Sequence, residues 1–271
     1  MNELTYGKQV WDFEDVNDVI DEFMDIYSKR PISNNQGGML SAHLFWAWYV
    51  VKKLKPVNII ESGVYKGQGT WVFRQAHPNI RIFSIDPALS ARVYIDEKAT
   101  YFSEDFSLID WKEHLDPRET LIFFDDHQNA YERLLQMKWM GFEQAMFEDN
   151  YPAGRGDCYS MKKIFAESGH GREVKTFRLR RHFRSTREEV IRPNKVHAQY
   201  AKSNIETYTT FPPLYKPEIT RWGDKWDEIN YPTATGILSM EKLEEYPIIK
   251  EEANNYTWIC YVKLNSANRN M

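Results

Sequence analysis

An apolar run that ends in an acid and then breaks into glycines sets the tightest constraint on this chain. It reads Val57-Asn-Ile-Ile-Glu61-Ser-Gly63-Val-Tyr-Lys-Gly67-Gln-Gly69-Thr70-Trp71. The apolar part predicts a buried parallel strand, and the amphipathic part after the glycines predicts a helix. Glycines at the junction let backbone approach a ligand closely, while the helix start offers free N–H groups to it. A second apolar run, Ile80-Arg-Ile-Phe-Ser-Ile85, ends in Asp86. A glycine loop on one strand and an acid closing the next is the way an open α/β sheet holds a nucleoside, with the acid on the ribose hydroxyls.

The rest of the chain agrees with such a sheet. Helical periodicity predicts helices over 12–30 and 39–54, the second apolar nearly all round and hence buried. Strands are expected at 57–61, 80–85, 99–102, 120–124 and 143–147. Helices are expected at 69–76, 88–97, 107–114, 128–139 and 157–168. Alternation of this kind, with strands that are almost continuously apolar, predicts a doubly wound, mostly parallel, Rossmann-like sheet of about seven strands. Residues 172–235 read as irregular, aromatic and proline-bearing, so a lid or binding element is expected there. Tyr256 to Val262 reads as a strand closing the sheet beside the fifth. The expected organisation is one domain over 1–271. It has N-terminal helices (1–56), a cofactor-binding core (57–170), a substrate cap insert (171–240) and closing strands (241–271).

Composition excludes several classes. A net charge of −4 gives no overall attraction to nucleic acid or membrane, and 42% hydrophobic residues suffice for a core. With two cysteines, Cys158 and Cys260, there is no disulfide framework, which suits a reducing compartment. The acidic N-terminal stretch does not resemble a signal peptide, and Leu44 to Val51 is far short of the ~20 apolar residues of a membrane span. A cytoplasmic protein is expected. Homo-oligomerisation is left open.

Two further strand ends carry chemistry: Leu121-Ile-Phe-Phe-Asp125-Asp126-His127 and Ala145-Met-Phe-Glu148-Asp149-Asn150. If the two strands are neighbours, ~4.8 Å apart, their oxygen-bearing side chains converge at the carboxyl edge where ligands bind. Crowded carboxylates raise one another's pKa unless a cation sits among them, and Mg²⁺ or another divalent ion with oxygen ligands would be suitable. Alternatively some of these acids, Asp125 among them, cap the next helix or contact a cofactor's amino group. His127, at the mouth of the site, and Asp126 are the candidate proton acceptors. The basic run Arg172, Lys175, Arg178, Arg180, Arg181, Arg184, Arg187, Arg192 and Lys195 is either a solvated face or a docking surface for an anionic acceptor. Tyr208, Phe211, Tyr215, Trp222 and Trp226 are either a stacking platform for a sugar ring or the core of a cap.

The leading acid discriminates between nucleosides. In the ExGxxxGxG order, a carboxylate at position 61 would repel the pyrophosphate of a dinucleotide but attract the sulfonium and ammonium of S-adenosylmethionine. Together these residues resemble a class I S-adenosylmethionine-dependent methyltransferase. The loop is similar to that of the rhamnosyl O-methyltransferase, cephalosporin-hydroxylase-like and macrolide-sugar O-methyltransferase group. The two acidic strand ends resemble the metal sites of catechol-type O-methyltransferases. The resemblance spans roughly residues 35–165. It implies that Glu61, Gly63 and Gly67 line the methionine part of the cofactor. It further implies that Asp86 binds the ribose and that the Ser103 to Phe106 segment, with Asp105, lies near the adenine. Asp125 (or Asp126), Asp149 and Asn150 would hold the metal, with Glu148 competing as the third ligand. The implied activity is O-methylation of a sugar hydroxyl on a glycan or glycosylated small molecule. The competing readings are a nicotinamide-dependent sugar-nucleotide oxidoreductase and a non-catalytic glycan-binding protein.

Overall fold

The computed structural model describes residues 5–169, 194–229 and 231–266. In chain order the elements are β1 (Thr5–Gly7), α1 (Val16–Tyr27), α2 (Ser41–Leu54), β2 (Asn58–Ser62), α3 (Gln68–Ala76), β3 (Arg81–Ile85), β4 (Thr100–Phe102) and β5 (Thr120–Phe124). They continue with α4 (Ala130–Met140), β6 (Gln144–Phe147), α5 (Met161–Phe165), α6 (Lys195–Asn204), β7 (Ile205–Thr210), α7 (Met240–Glu245), α8 (Ile248–Glu252) and β8 (Cys260–Leu264).

The strands form one eight-stranded sheet in the order β1-β7-β8-β6-β5-β2-β3-β4. Pairings β2–β3, β3–β4, β2–β5 and β5–β6 are parallel. The strand β8 is antiparallel to both β6 and β7, and β1 is antiparallel to β7. The doubly wound α/β class read from the alternation is therefore the class of the fold. β8 lies beside β6, as the apolar run at its start predicts, but it does not close the sheet, since β7 and β1 continue it on the other side.

Side chains alternate between two cores. Ile59, Ile82, Leu121, Phe123 and Met146 face the layer built by α1, α2 and α3. Ile60, Phe83, Ile122, Phe124 and Ala145 face α4, α5 and α6. Every residue of β2 and β5 is buried, which is why both read as continuous apolar runs. The helix α2 is buried from Ser41 to Val51, and its Trp46 and Trp48 are fully enclosed. Each such ring contributes about 2–3 kcal/mol of apolar burial.

Three local expectations are corrected. Between 88 and 97 there is only a three-residue turn, Leu89–Ala91. The following chain is drawn back to the glycine loop, where Val93 and Tyr94 donate their N–H groups to Lys66 O at 2.9 and 3.0 Å. Between 107 and 114 two short 3₁₀ turns replace a helix, because Asp105 and Asp110 side chains accept from Ser107 N and Lys112 N. Finally, the stretch assigned to a cap insert contributes α6 and β7 to the main architecture, with β7 inside the sheet. β7 went unread because Ile205-Glu-Thr-Tyr-Thr-Thr210 is threonine-rich rather than aliphatic.

The strand order reverses between β2 and β5, since the chain moves outward to β3 and β4 before returning beside β2. In an open α/β sheet that switch point opens a crevice at the carboxyl ends of the strands, where ligands bind. Both the glycine loop and the first acidic strand end sit there.

Candidate active site

The glycine loop is fastened by its own backbone. Gly63 leaves β2 at φ 100°, and a Cβ there would stand 2.0 Å from Asp125 O. Gly67, at φ 93°, would bring a Cβ to 2.4 Å from Tyr94 O. Each glycine thus permits a backbone crossing, the first of them between the two strands at the switch point. Gly63→Ala is expected to cost about 3 kcal/mol or more, since strain and a backbone clash add. Thermal melts should show a fall in Tm of roughly 6 °C or more; a variant melting within about 2 °C of the parent would contradict it.

Asp86 closes the same loop. Its Oδ2 accepts from Val64 N at 3.0 Å and Tyr65 N at 2.9 Å, and its Oδ1 accepts from Ala88 N at 2.7 Å. Glu61, expected to line the methionine part of the cofactor, ends β2 beneath the loop. It is 1% exposed and turned under α3, where Oε2 accepts from the Thr70 hydroxyl and from Ser84 Oγ at 2.7 Å. Its Oε1 is buried without a hydrogen-bond partner among the described residues. Burial pushes this carboxyl up to about 7, against the opposing pull of the Thr70 and Ser84 bonds.

The acidic strand ends do converge. Phe124 and Phe147 are paired in register, so the residues after β5 and β6 leave the sheet side by side. Ligating atoms of Asp125, His127 and Asp149 all lie within 4.8 Å of one another. His127 takes a left-handed backbone conformation, φ 53°, which folds its ring back over the acids. Its Nδ1 lies 3.0 Å from Asp149 Oδ2 and 3.2 Å from Asp157 Oδ1. The hydrogen bond to Asp149 pushes the imidazole up to about 10. Burial alone would raise Asp149, but the His127 bond and charge, with bonds to Glu148 and Tyr151, together outweigh it and hold the carboxyl below its ordinary range. Burial and the neighbouring Asp149 push Asp125 up.

The doubled acid of the sequence is resolved by direction. Asp125 lies on the cavity side. Asp126 lies on the other, where Oδ2 accepts from Ser62 Oγ at 2.7 Å and from Arg133 Nη2 at 2.8 Å. Arg133, 3% exposed, also pairs with Asp105 at 2.7 Å, and these bonds hold Asp105 well below the usual carboxylate range. One buried guanidinium thus engages both Asp126, expected as a base, and Asp105, expected near the adenine. His127 as base meets a similar objection: an imidazole pushed up to about 10 is protonated at neutral pH. Asn150 is corrected too. Its Nδ2 donates to Tyr208 Oη at 3.0 Å and Trp258 O at 2.9 Å, and its Oδ1 accepts from Lys162 N at 2.8 Å. The buried amide ties the end of β6 to β7, to the residue Trp258 ahead of β8 and to α5, and is not aimed at the Asp125–His127–Asp149 cluster by any of these bonds.

Glu148 turns toward a residue that sequence reasoning passed over. Its Oε1 is 3.4 Å from His43 Nε2, which also accepts from Thr257 N at 3.0 Å. Burial, then Arg221, push His43 down to about 3, while burial and the two aspartates push Glu148 up. The imidazole is neutral, so this contact is not an ion pair. Signals existed for these residues: His43 interrupts an otherwise apolar helix, and Arg133 shares the face of Ala130, Leu134 and Met137.

These groups floor a cavity of about 460 Å³ lined by Asp125, His127, Glu148, Asp149, Tyr151, His43, Arg221, Glu252 and the loop 33–38. The aromatic platform is not part of it: Tyr208, Phe211 and Trp226 are buried in the cores, and Trp222 packs on Trp258. Except for Lys195, the basic run lies outside the described residues. Among the described residues no helix is long and apolar enough to cross a membrane.

No family model and no curated protein matches this chain. Solved structures do match, at low superposition scores. The protein CmcI with Mg and SAM is 26% identical over 39% of this chain and 52% of its own, with a TM-score of 0.32. The chain therefore spans about half the length of that relative. CmcI with SAH is 19% identical over 54% of this chain and 84% of its own, at 0.34. An O-methyltransferase from Bacillus cereus with SAH is 14% identical over 49% and 66%, at 0.35. Superpositions this shallow carry no argument about activity, and the chemistry has to be judged from the site itself.

Proposed function

We propose that this chain is a S-adenosylmethionine-dependent O-methyltransferase acting on a sugar hydroxyl. The observation that carries the reading is the meeting of Asp125, His127 and Asp149 within 4.8 Å, at the floor of a cavity beside the glycine loop of the switch point. The single-domain organisation and the cytoplasmic setting belong to the same proposal. The sulfonium is already an activated electrophile, so positioning does most of the work and contributes ~7–11 kcal/mol. The glycine loop and the start of α3 present backbone N–H groups to the cofactor, with Asp86 and Glu61 shaping the loop from behind. The acceptor hydroxyl lies against Asp149, kept ionised by His127, and gives up its proton there as the O–CH₃ bond forms and the S–CH₃ bond breaks.

The cluster also fits a divalent cation. Two carboxylates and an imidazole form a donor set that suits Mn²⁺, Fe²⁺, Co²⁺ or Zn²⁺ at least as well as Mg²⁺. Asp125, Asp149 and, once its proton is displaced, His127 would hold it, and it would lower the pKa of a bound hydroxyl. Calorimetry with S-adenosylhomocysteine and with NAD⁺ tests the class: binding of the first and not the second is expected, and the reverse, or neither, overturns it. Methyl transfer from labelled donor to a panel of deoxy-sugars, nucleotide-sugars and glycans, read by mass spectrometry, tests the acceptor. Full turnover in EDTA would remove the metal and leave the methyltransferase.

A further inference from the structure

Arg221 lines the same cavity, carried by a turn that several contacts anchor. Thr220 N donates to Asp224 O at 2.8 Å, and Gly223 N donates to Thr220 O at 2.9 Å. Asp224 is clamped by Arg155 and by the Tyr231 hydroxyl, and Trp222, next to Arg221, packs flat on Trp258 at 5.9 Å. The backbone at 221 is therefore held in place while its side chain is exposed to the cavity.

Two cations near this turn are paired with acids. Arg155 is paired with Asp224, and Lys216 with Glu228. Arg221 has no ion pair among the described residues; its guanidinium lies 5.8 Å from the centre of the buried Tyr151 ring. Of the four acids that share the cavity, Asp125 belongs to the cluster with His127 and the other three are engaged elsewhere. Asp149 holds His127, Glu148 abuts His43, and Glu252 accepts from Tyr27 Oη at 2.8 Å and from Ser41 N at 2.8 Å. A planar guanidinium fixed at its base, facing a cavity and lacking a counter-ion, matches the two oxygens of a carboxylate or phosphate.

We propose that Arg221 binds an anionic group of the acceptor, a carboxylate or a phosphate, and so orients the hydroxyl toward Asp149 across the cavity. The orienting role rests on the methyltransferase reading; the anion site does not. Substrates of this class are sugar acids or sugar phosphates rather than neutral sugars.

The test is calorimetry on the full chain with glucuronate, glucose 1-phosphate and glucose, for wild type, R221Q and R221K, with S-adenosylhomocysteine binding measured on each. At least one anion is expected to bind wild type, with glucose far weaker. R221Q should weaken that binding about 10- to 100-fold, and R221K should fall between. Glucuronate against glucose 1-phosphate distinguishes carboxylate from phosphate. No binding of either anion, or equal binding to wild type and R221Q, overturns the proposal. Loss of S-adenosylhomocysteine binding in wild type would overturn the methyltransferase reading and leave the anion site standing. Unchanged S-adenosylhomocysteine binding in R221Q shows that the variant is folded.

Discussion

Asp149→Ala is expected to lower kcat/KM by at least about 10³-fold, combining the loss of a proton acceptor with the loss of a ligand to any bound cation. A second readout needs no acceptor. The hydrogen bond to Asp149 is the main cause of the high His127 pKa, about 10 in the intact site. Without Asp149, His127 should titrate much closer to the ordinary histidine value of about 6.5, as seen by NMR of the imidazole. The sign follows: the His127–Asp149 pair stabilises the fold fully below about pH 6.5 and loses that contribution as pH rises through 10. A variant within about 10-fold of wild type in activity, or an unmoved His127 titration, would sink the assignment of Asp149.

The second large effect concerns Glu61. Its folded pKa of about 7 stands above the ordinary 4.5, so between those values the folded state keeps a proton that the unfolded chain has lost. Stability is therefore greatest below about pH 4.5, falls as pH rises toward 7, and then levels. The difference corresponds to about 3 kcal/mol. Glu61→Gln, which retains the shape and can still bond Thr70 and Ser84, should abolish that slope. It should also leave the protein more stable than wild type at pH 8. Urea titrations from pH 5 to 9 decide it, and parallel curves for the two proteins would contradict the buried-carboxyl account. Glu61 then holds a charge that the empty fold disfavours, which is consistent with a cationic cofactor above the loop.

Much of the architecture was legible because it follows from local patterns. The strands at 57–61, 80–85, 120–124 and 143–147 are apolar on both faces, which only a sheet covered by helices on both sides allows. Helices failed where side chains competed with the backbone, at Asp105 and Asp110, and at 88–97, where long-range bonds to Lys66 bent the chain. β7 was missed because its identity as a strand comes from its partners β8 and β1 rather than from apolar content.

The site was legible as a neighbourhood. Acids closing β5 and β6 had to be neighbours if those strands were, and the structure brings Asp125 and Asp149 together with His127. Their division of labour was not. Asp125 and Asp126 are adjacent and chemically identical, yet one faces the cavity and the other a buried arginine on α4. Asn150, which matched a metal-ligand pattern, is bonded to β7, to Trp258 and to α5.

By itself the sequence determined the doubly wound sheet, the glycine crossing at its switch point and the two acidic strand ends, because strand burial and glycine geometry are local properties. Only the tertiary structure decided that Arg133 pairs with both Asp126 and Asp105, that His127 joins the acid cluster, and that Arg221 lines the same cavity. Each of those outcomes depends on which charged side chain finds a partner, and partners far apart in the chain are chosen by folding.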